Sequence, residues 1–286
     1  VIGPATTDET LAILSLADRY KLPCLSISAA DRTQPKSPWV FRLPITTYHM
    51  VYQIDDYLAR RNLNRVAMVS VDSGFGRAGR REFLTQAADF HLNLVADVVS
   101  PDRTLTPEES DSLIGQAMKS RPQALVIWWS AAGAVELTLA ARRQRVKIPI
   151  LHSGGVAGSD FLDQAGPAAE NVLFPGSPLL VPQALPEEHR QKPQIDSFMQ
   201  FCRSHKLPVS NFGGYAWDAA QLLMEAREQA GPHRAKIRAY LENLQDRPAV
   251  SGVYHFSPAD HNGLTHESFL MIQIRQGHWQ PVNLVP

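Results

Sequence analysis

Arg65-Val-Ala-Met-Val-Ser-Val71, followed at once by Asp72-Ser-Gly-Phe-Gly-Arg-Ala-Gly79, reads as a buried strand that runs through a glycine-rich turn into a helix. The strand is short, unbroken and rich in valine, which marks a segment covered on both faces. The helix it feeds ends near residue 91. Toward the C-terminus the same unit recurs: strand 92–99 and helix 107–120, strand 124–129 and helix 132–145, strand 148–152 and a short helix over 160–165. Toward the N-terminus, Met50, Val51, Ile54, Tyr57 and Leu58 stand at helical spacing in a helix over 50–62 that starts at Thr46 or Thr47. Strand alternating with helix predicts an α/β fold, a parallel sheet covered by helices on both faces.

Further out lies a second corner of the same kind. Val1-Ile-Gly-Pro-Ala-Thr-Thr-Asp-Glu-Thr10 reads as the end of a strand, a Gly-Pro turn and a helix start, and Leu25-Ser-Ile-Ser-Ala-Ala30 as a buried strand ending in small residues. Thr6, Thr7 or Asp8 supplies the side-chain oxygen that caps the helix. The helix dipole and the remaining free N–H groups make the corner attractive to a carboxylate. In open parallel sheets small molecules bind at the carboxyl ends of strands, which puts Ser28, Ala29 and Ala30 in the same place.

After residue 172 the alternation breaks. Pro175, Pro178, Pro182, Pro186 and Pro193 mark a surface excursion. Helices follow over 194–206, 214–230 and 233–244, then an extended stretch from Gly252, and a hairpin over 268–282 whose turn is Gln276-Gly277.

With 286 residues the chain is long enough that two lobes are expected rather than one core. Its 28 basic and 28 acidic residues cancel, so the basic excess that accompanies nucleic-acid binding is missing. Cys24 and Cys202 are too few and too far apart for a disulfide framework or a zinc site, and both read as core residues. His49, His152, His255 and His261 match no zinc spacing. The turn Gly74-Phe-Gly-Arg-Ala-Gly79 follows a strand as a dinucleotide loop would, but no acid closes the following strand at the required distance. No Gly-x-Ser-x-Gly elbow is present. No catalysis, cofactor or metal is expected.

Several stretches together carry a resemblance. They are Val1-Ile-Gly-Pro-Ala-Thr-Thr-Asp-Glu-Thr-Leu-Ala, Leu25-Ser-Ile-Ser-Ala-Ala, Trp39-Val-Phe-Arg, Gly74-Phe-Gly-Arg-Ala-Gly, Ser153-Gly-Gly-Val-Ala, Phe212-Gly-Gly-Tyr-Ala-Trp-Asp-Ala, and Phe256-Ser-Pro-Ala-Asp-His-Asn-Gly-Leu. In this order the chain resembles the type I periplasmic solute-binding proteins of the branched-chain amino acid (leucine/isoleucine/valine-binding) family, the substrate-binding components of ABC transporters. The resemblance implies two doubly wound, Rossmann-like parallel-sheet lobes joined by three crossings, closing on a ligand by hinge motion. It puts one lobe at 1–46 plus 176–260 and the other at 47–175 plus 261–286. Family members carry further strand and helix units ahead of the position of Val1, so the first lobe is expected to be incomplete here and the precursor to carry a signal peptide.

The resemblance also implies a site. Thr7 falls where the family receives a carboxylate with a hydroxyl; without the resemblance, a plain helix cap is the preferred reading of the residue. Ser28 and Ala30 fall where backbone groups hold an amino acid's head, Ala30 lacking the threonine hydroxyl often found there. Phe75 is either a ligand-facing aromatic or a packing residue at the turn. Trp129, Ser130 and Ala131, with His152 and Gly154, end neighbouring strands on the opposite wall, and Tyr215 or Trp217 reaches the cleft or packs in the core. At Gly154 no acid is present to pair with a ligand's ammonium, and an unpaired buried ammonium is costly. The expected ligand is therefore a small carboxylate, an organic or aromatic acid rather than an α-amino acid. The expected setting is periplasmic and monomeric, with a membrane permease as partner and no nucleic acid. The alternative is a ligand-sensing domain of the same fold in a receptor or regulatory protein.

Overall fold

The structure, a computed structural model, describes residues 1–29 and 37–282. Its elements begin with helix α1 (Thr7–Tyr20), strands β1 (Cys24–Ser26) and β2 (Val40–Arg42), and helix α2 (Thr47–Arg60). There follow β3 (Arg65–Val71), α3 (Gly74–Gln86), β4 (Asn93–Ser100), α4 (Pro107–Met118), β5 (Ala124–Trp128), α5 (Ala131–Arg143), β6 (Ile150–His152), α6 (Ser159–Ala165) and β7 (Leu173–Gly176). The chain ends through α7 (Lys192–His205), α8 (Asn211–Ala230), α9 (Arg234–Glu242), β8 (Arg247–Pro248), β9 (Val253–Tyr254), β10 (Leu270–Arg275) and β11 (His278–Pro281).

Two compact units result, one of Val1–Thr47 and Ser177–Phe269, the other of Tyr48–Gly176 and Leu270–Pro286. The expectation that the first unit stops at residue 260 is corrected. The backbone N–H of Arg42 donates to the His261 carbonyl at 2.8 Å, Gly263 N–H donates back to the Arg42 carbonyl at 3.0 Å, and the His261 ring stacks on Phe41 at 4.2 Å. These bonds hold residues 261–269 in the first unit.

In the second unit the sheet order is β11-β10-β7-β6-β5-β3-β4. Strands β4, β3, β5, β6 and β7 are parallel to their neighbours, and the β10–β11 hairpin adds antiparallel to β7. Strand β5 is buried at every position, as a central strand covered on both faces must be. Strand β4 lies at the edge with alternate residues exposed, and its Asp97 accepts from Arg80 Nε of α3 at 2.6 Å, a charged pair of the kind that blunts edge pairing. The stretch 72–79, expected as a turn, is already helical from Gly74, because Ser73 caps the helix by accepting from Gly76 N–H.

The first unit has a smaller sheet. β1 and β2 pair in parallel, residues 1–4 run along the other side of β1, and Asn262 bridges β2 at Arg42. Helix α1 covers this sheet with Leu14 and Ala17 against Cys24, Trp39 and Val40. A second cluster joins Ile195, Phe198 and Cys202 of α7 to Leu179 and Val250. Both cysteines are buried and free. α7 starts at Lys192 rather than 194, since Pro193 is tolerated in a first turn. Strand β9 falls in the extended stretch expected from Gly252, whereas its two-residue partner β8 was not read from the sequence.

Candidate functional site

In the first unit, α1 opens on a complete capping box. Thr6 Oγ1 accepts from Glu9 N–H and the Glu9 carboxylate accepts from Thr6 N–H, each at 3.3 Å, with Asp8 and Glu9 in the first turn. This helix end is thus already served by a hydroxyl and by negative charge, which offsets the dipole that would attract an anion. Thr7 is the first helical residue and is buried. Thr10, which the sequence reading passed over, organises the corner. Its hydroxyl donates to the Thr6 carbonyl at 2.9 Å and lies 2.9 Å from Ser26 Oγ and 2.7 Å from Ser28 Oγ, so the Ser28 hydroxyl is held inside this cluster. The Ala29 carbonyl accepts from Thr47 Oγ1 at 2.9 Å, and Ala30 lies outside the described residues. Tyr215 is buried within the unit beside Asp218, with a backbone hydrogen bond to Ile45, while Trp217 packs on Phe198 and Phe201.

The second unit brings the other residues to one edge, the carboxyl ends of β3, β5 and β6. Phe75 is half-buried, its ring 5.4 Å from that of Trp128, and its carbonyl accepts from Trp128 Nε1 at 3.2 Å. Trp129 is buried against α5, where a Cβ on Gly133 would stand 2.3 Å from the indole. Ser130 is exposed at the N-cap of α5 and its side chain makes no capping bond; no acid stands in the first turn, which opens with Ala131. Ser153 ties the edge together. Its hydroxyl donates to the Trp129 carbonyl at 2.9 Å and accepts from Gly155 N–H at 3.2 Å. Gly155 backs directly on Ser130, where a Cβ would come within 2.7 Å of the serine's own. Gly154 faces Met50 Sδ and the Pro175 carbonyl at 3.1 and 3.3 Å from an added Cβ, so a larger residue there must displace one of them.

His152 supplies only backbone to this edge. Its ring is completely buried, with Nε2 2.9 Å from Thr138 Oγ1 on α5. The Thr138 hydroxyl donates to the Ala134 carbonyl at 2.7 Å, so Nε2 carries the proton and donates to the threonine oxygen. Burial, with the Arg142 charge nearby, pushes the imidazole down to about 3. The folded protein therefore favours the neutral ring, and that contribution to stability, present above 6.5, is lost as pH falls toward 3. His152→Gln is expected to shift the midpoint of acid unfolding, followed by circular dichroism, to lower pH by roughly half a unit or more; an unchanged midpoint would show that the histidine does not drive acid unfolding.

Among the described residues no group of three or more His, Cys, Asp or Glu could hold a metal ion, and no helix is long and apolar enough to cross a membrane. The roles of Thr10, Thr47 and Ser153 were hidden because a hydroxyl's partner is not written in its neighbours; only the glycines after Ser153 hinted at a tight approach.

The model of the periplasmic binding protein family matches residues 1–278. The chain belongs to this family. Solved structures carry the same fold. An extracellular ligand-binding receptor from Rhodopseudomonas palustris HaA2 is 22% identical with a TM-score of 0.88, over 98% of this chain and 81% of that one. A leucine binding protein from Thermotoga maritima MSB8 is 17% identical with a TM-score of 0.84, over 98% and 78%. An ABC transporter substrate-binding protein from Desulfitobacterium hafniense is 19% identical with a TM-score of 0.79, over 99% and 80%. No curated protein matches the chain. This periplasmic binding protein thus has the type I fold of a ligand-binding family, an α/β architecture with a mostly parallel sheet.

Proposed function

We propose that the protein is the periplasmic solute-binding component of an ABC importer, monomeric and delivering to a membrane permease, and that it captures a small carboxylate, an organic or aromatic acid in preference to an α-amino acid. Closure of the two units on that solute, implied by the resemblance, is part of the proposal. The observation that carries the ligand class is the contrast between two helix ends. α1 is capped by Thr6 and carries Asp8 and Glu9, whereas α5 begins at an exposed Ser130 with no capping bond and no acid. The α5 end, at the carboxyl edge of β5, is where an anion gains most from backbone N–H groups and dipole, about 0.3–2 kcal/mol in such settings. Beside it stand Phe75, a half-buried aromatic suited to an apolar or aromatic body, and Gly154, which offers an ammonium no countercharge.

Calorimetric titration against aliphatic acids, aromatic acids and α-amino acids tests the class. A substitution localises it. Ser130→Asp is expected to keep or raise thermal stability, because aspartate caps helices well, and to lower affinity for the best acid at least about tenfold by putting a carboxylate where the ligand's should sit. An amino acid bound as tightly as the best organic acid defeats the ligand class, and undiminished binding by Ser130→Asp defeats the assigned helix end.

A further inference from the structure

Asn262-Gly263 is the single Asn-Gly pair of the chain. Such a pair is prone to deamidate, because glycine has no side chain to hinder attack of its main-chain nitrogen on the asparagine amide, and asparagine is thermolabile for this reason. Here the fold uses both residues. Asn262 bridges β2 at Arg42, Gly263 N–H donates to the Arg42 carbonyl at 3.0 Å, and the Gly263 carbonyl accepts from His255 N–H at 3.0 Å. A side chain at 263 is excluded, since an added Cβ would stand 2.5 Å from Tyr254 Cδ1 and 2.6 Å from Phe256 Cζ, both in buried rings. The asparagine is equally committed. Its N–H and its Nδ2 donate to one oxygen of Asp260, at 3.0 and 2.7 Å. Asp260 is fixed in turn, its N–H donating to the Ser257 carbonyl at 3.1 Å and its carbonyl accepting from Ser257 N–H at 2.9 Å. The fold therefore requires the labile pair at this place and also restrains it.

For deamidation the Gly263 nitrogen gives up its proton and attacks Asn262 Cγ. A C–N bond forms, the Cγ–Nδ2 bond breaks, and Nδ2 leaves with that proton as ammonia. Water then opens the cyclic imide at either carbonyl, giving aspartate or isoaspartate. In the folded chain the proton lies in the hydrogen bond to Arg42, Nδ2 is held by Asp260, and the peptide groups on both sides of Gly263 are bonded. Asn262 Cγ cannot swing onto the nitrogen until these bonds break, which local opening of the 257–263 turn achieves in one step. The product does not fit the place it left. Aspartate at 262 sets a carboxylate where a donor stood 2.7 Å from the Asp260 oxygen, and like charges that close repel. Isoaspartate lengthens the main chain by one carbon and throws the bonds to Arg42 out of register.

We propose that Asn262-Gly263 is a deamidation site kept shut by the fold, which reacts when the 257–263 turn opens locally and whose reaction makes that opening permanent.

The test holds the full chain at mildly alkaline pH in buffer and in denaturing urea, and follows asparagine, aspartate and isoaspartate at position 262 by peptide mass spectrometry. Conversion should be at least tenfold slower in buffer. Asp260→Ala, which frees Nδ2, should speed conversion several-fold in buffer and leave the rate in urea unchanged. In the wild type the rate should already rise at urea concentrations below the main unfolding transition, as a local opening requires. Asn262→Asp reproduces one product and should lower the melting temperature at neutral pH, by an amount that shrinks as acid protonates the two carboxylates. Equal rates in buffer and in urea overturn the proposal, as does an Asp260→Ala rate in buffer equal to that of the wild type. Should Asp260→Ala fail to fold, a wild-type rate that stays flat up to the main transition overturns it. An Asn262→Asp chain as stable as the wild type defeats the permanence of the opening.

Discussion

Asp218→Ala is expected to lower the unfolding free energy by about 3–6 kcal/mol, measured by urea denaturation, because a single buried carboxylate holds three donors. Asp218 lies on α8 and is 1% exposed. It accepts from the backbone N–H groups of Val250 and Ser251, both at 2.9 Å, and from Tyr254 Oη at 3.3 Å. Alanine leaves these donors buried and unpaired, at about 1–3 kcal/mol each. Asp218→Asn keeps an acceptor oxygen and should cost less. Desolvation, opposed by the donated hydrogen bonds, pushes the Asp218 carboxyl up to about 6 from 3.8. The titratable groups facing it are Tyr215 on the same helix and Tyr254 on β9, both themselves held neutral by burial. Since the folded state holds the proton more tightly, this contribution is fully present below 3.8 and is lost as pH rises through about 6. The stability of the wild type relative to Asp218→Asn should therefore fall by about 2 kcal/mol between pH 4 and pH 7. A difference that is flat, or that grows with pH, would show that the carboxylate is stabilised rather than penalised at its site.

The second large effect is expected where α3 crosses β5. Trp128 is 1% exposed, and a Cβ on Gly79 would stand 2.1 Å from its indole. Trp128→Ala should cost about 3–5 kcal/mol, the loss from burial plus the cavity left behind. Gly79→Ala acts from the other side, since it forces the indole out of a packed position, and should cost about 1–3 kcal/mol or more. Because the two residues share one space, the effects should not add. Gly79→Ala combined with Trp128→Phe should be more stable than the sum of the single changes predicts, by about 1 kcal/mol, in a double-mutant cycle read by denaturant unfolding. Additivity would mean that the backbone, not the indole, absorbs the clash. Phe75 is part of the same packing, since its carbonyl receives the Trp128 N–H, so Trp128→Ala should also loosen the start of α3.

The alternation of strand and helix was legible because each element needs only local information. A valine-rich run and a glycine-rich turn marked β3, and the β10–β11 hairpin announced itself through Gln276-Gly277. The N-terminus of α1 was legible too, but its meaning was not. Thr6 and Glu9 stand at capping-box spacing in the sequence, and the structure shows the box closed, which turns an inviting anion corner into a satisfied helix end. For Ser130 the reverse holds. The sequence offers a serine before a helix, and the folded chain leaves that serine exposed with no capping bond.

What the sequence determined by itself was the architecture: its periodicities specify an α/β chain, its ordered motifs specify the family, and its balanced charge removes an electrostatic case for nucleic acid. Only the tertiary structure decided which polar side chains serve which partners. His152 belongs to Thr138, Asp218 to the backbone at 250–251, and residues 261–269 to the first unit. The physical reason is the range of the interactions. Hydrophobic period and capping act within a few residues and leave a trace in composition, whereas a buried hydrogen bond joins groups that are distant in the chain and becomes decisive only after water has been removed from both.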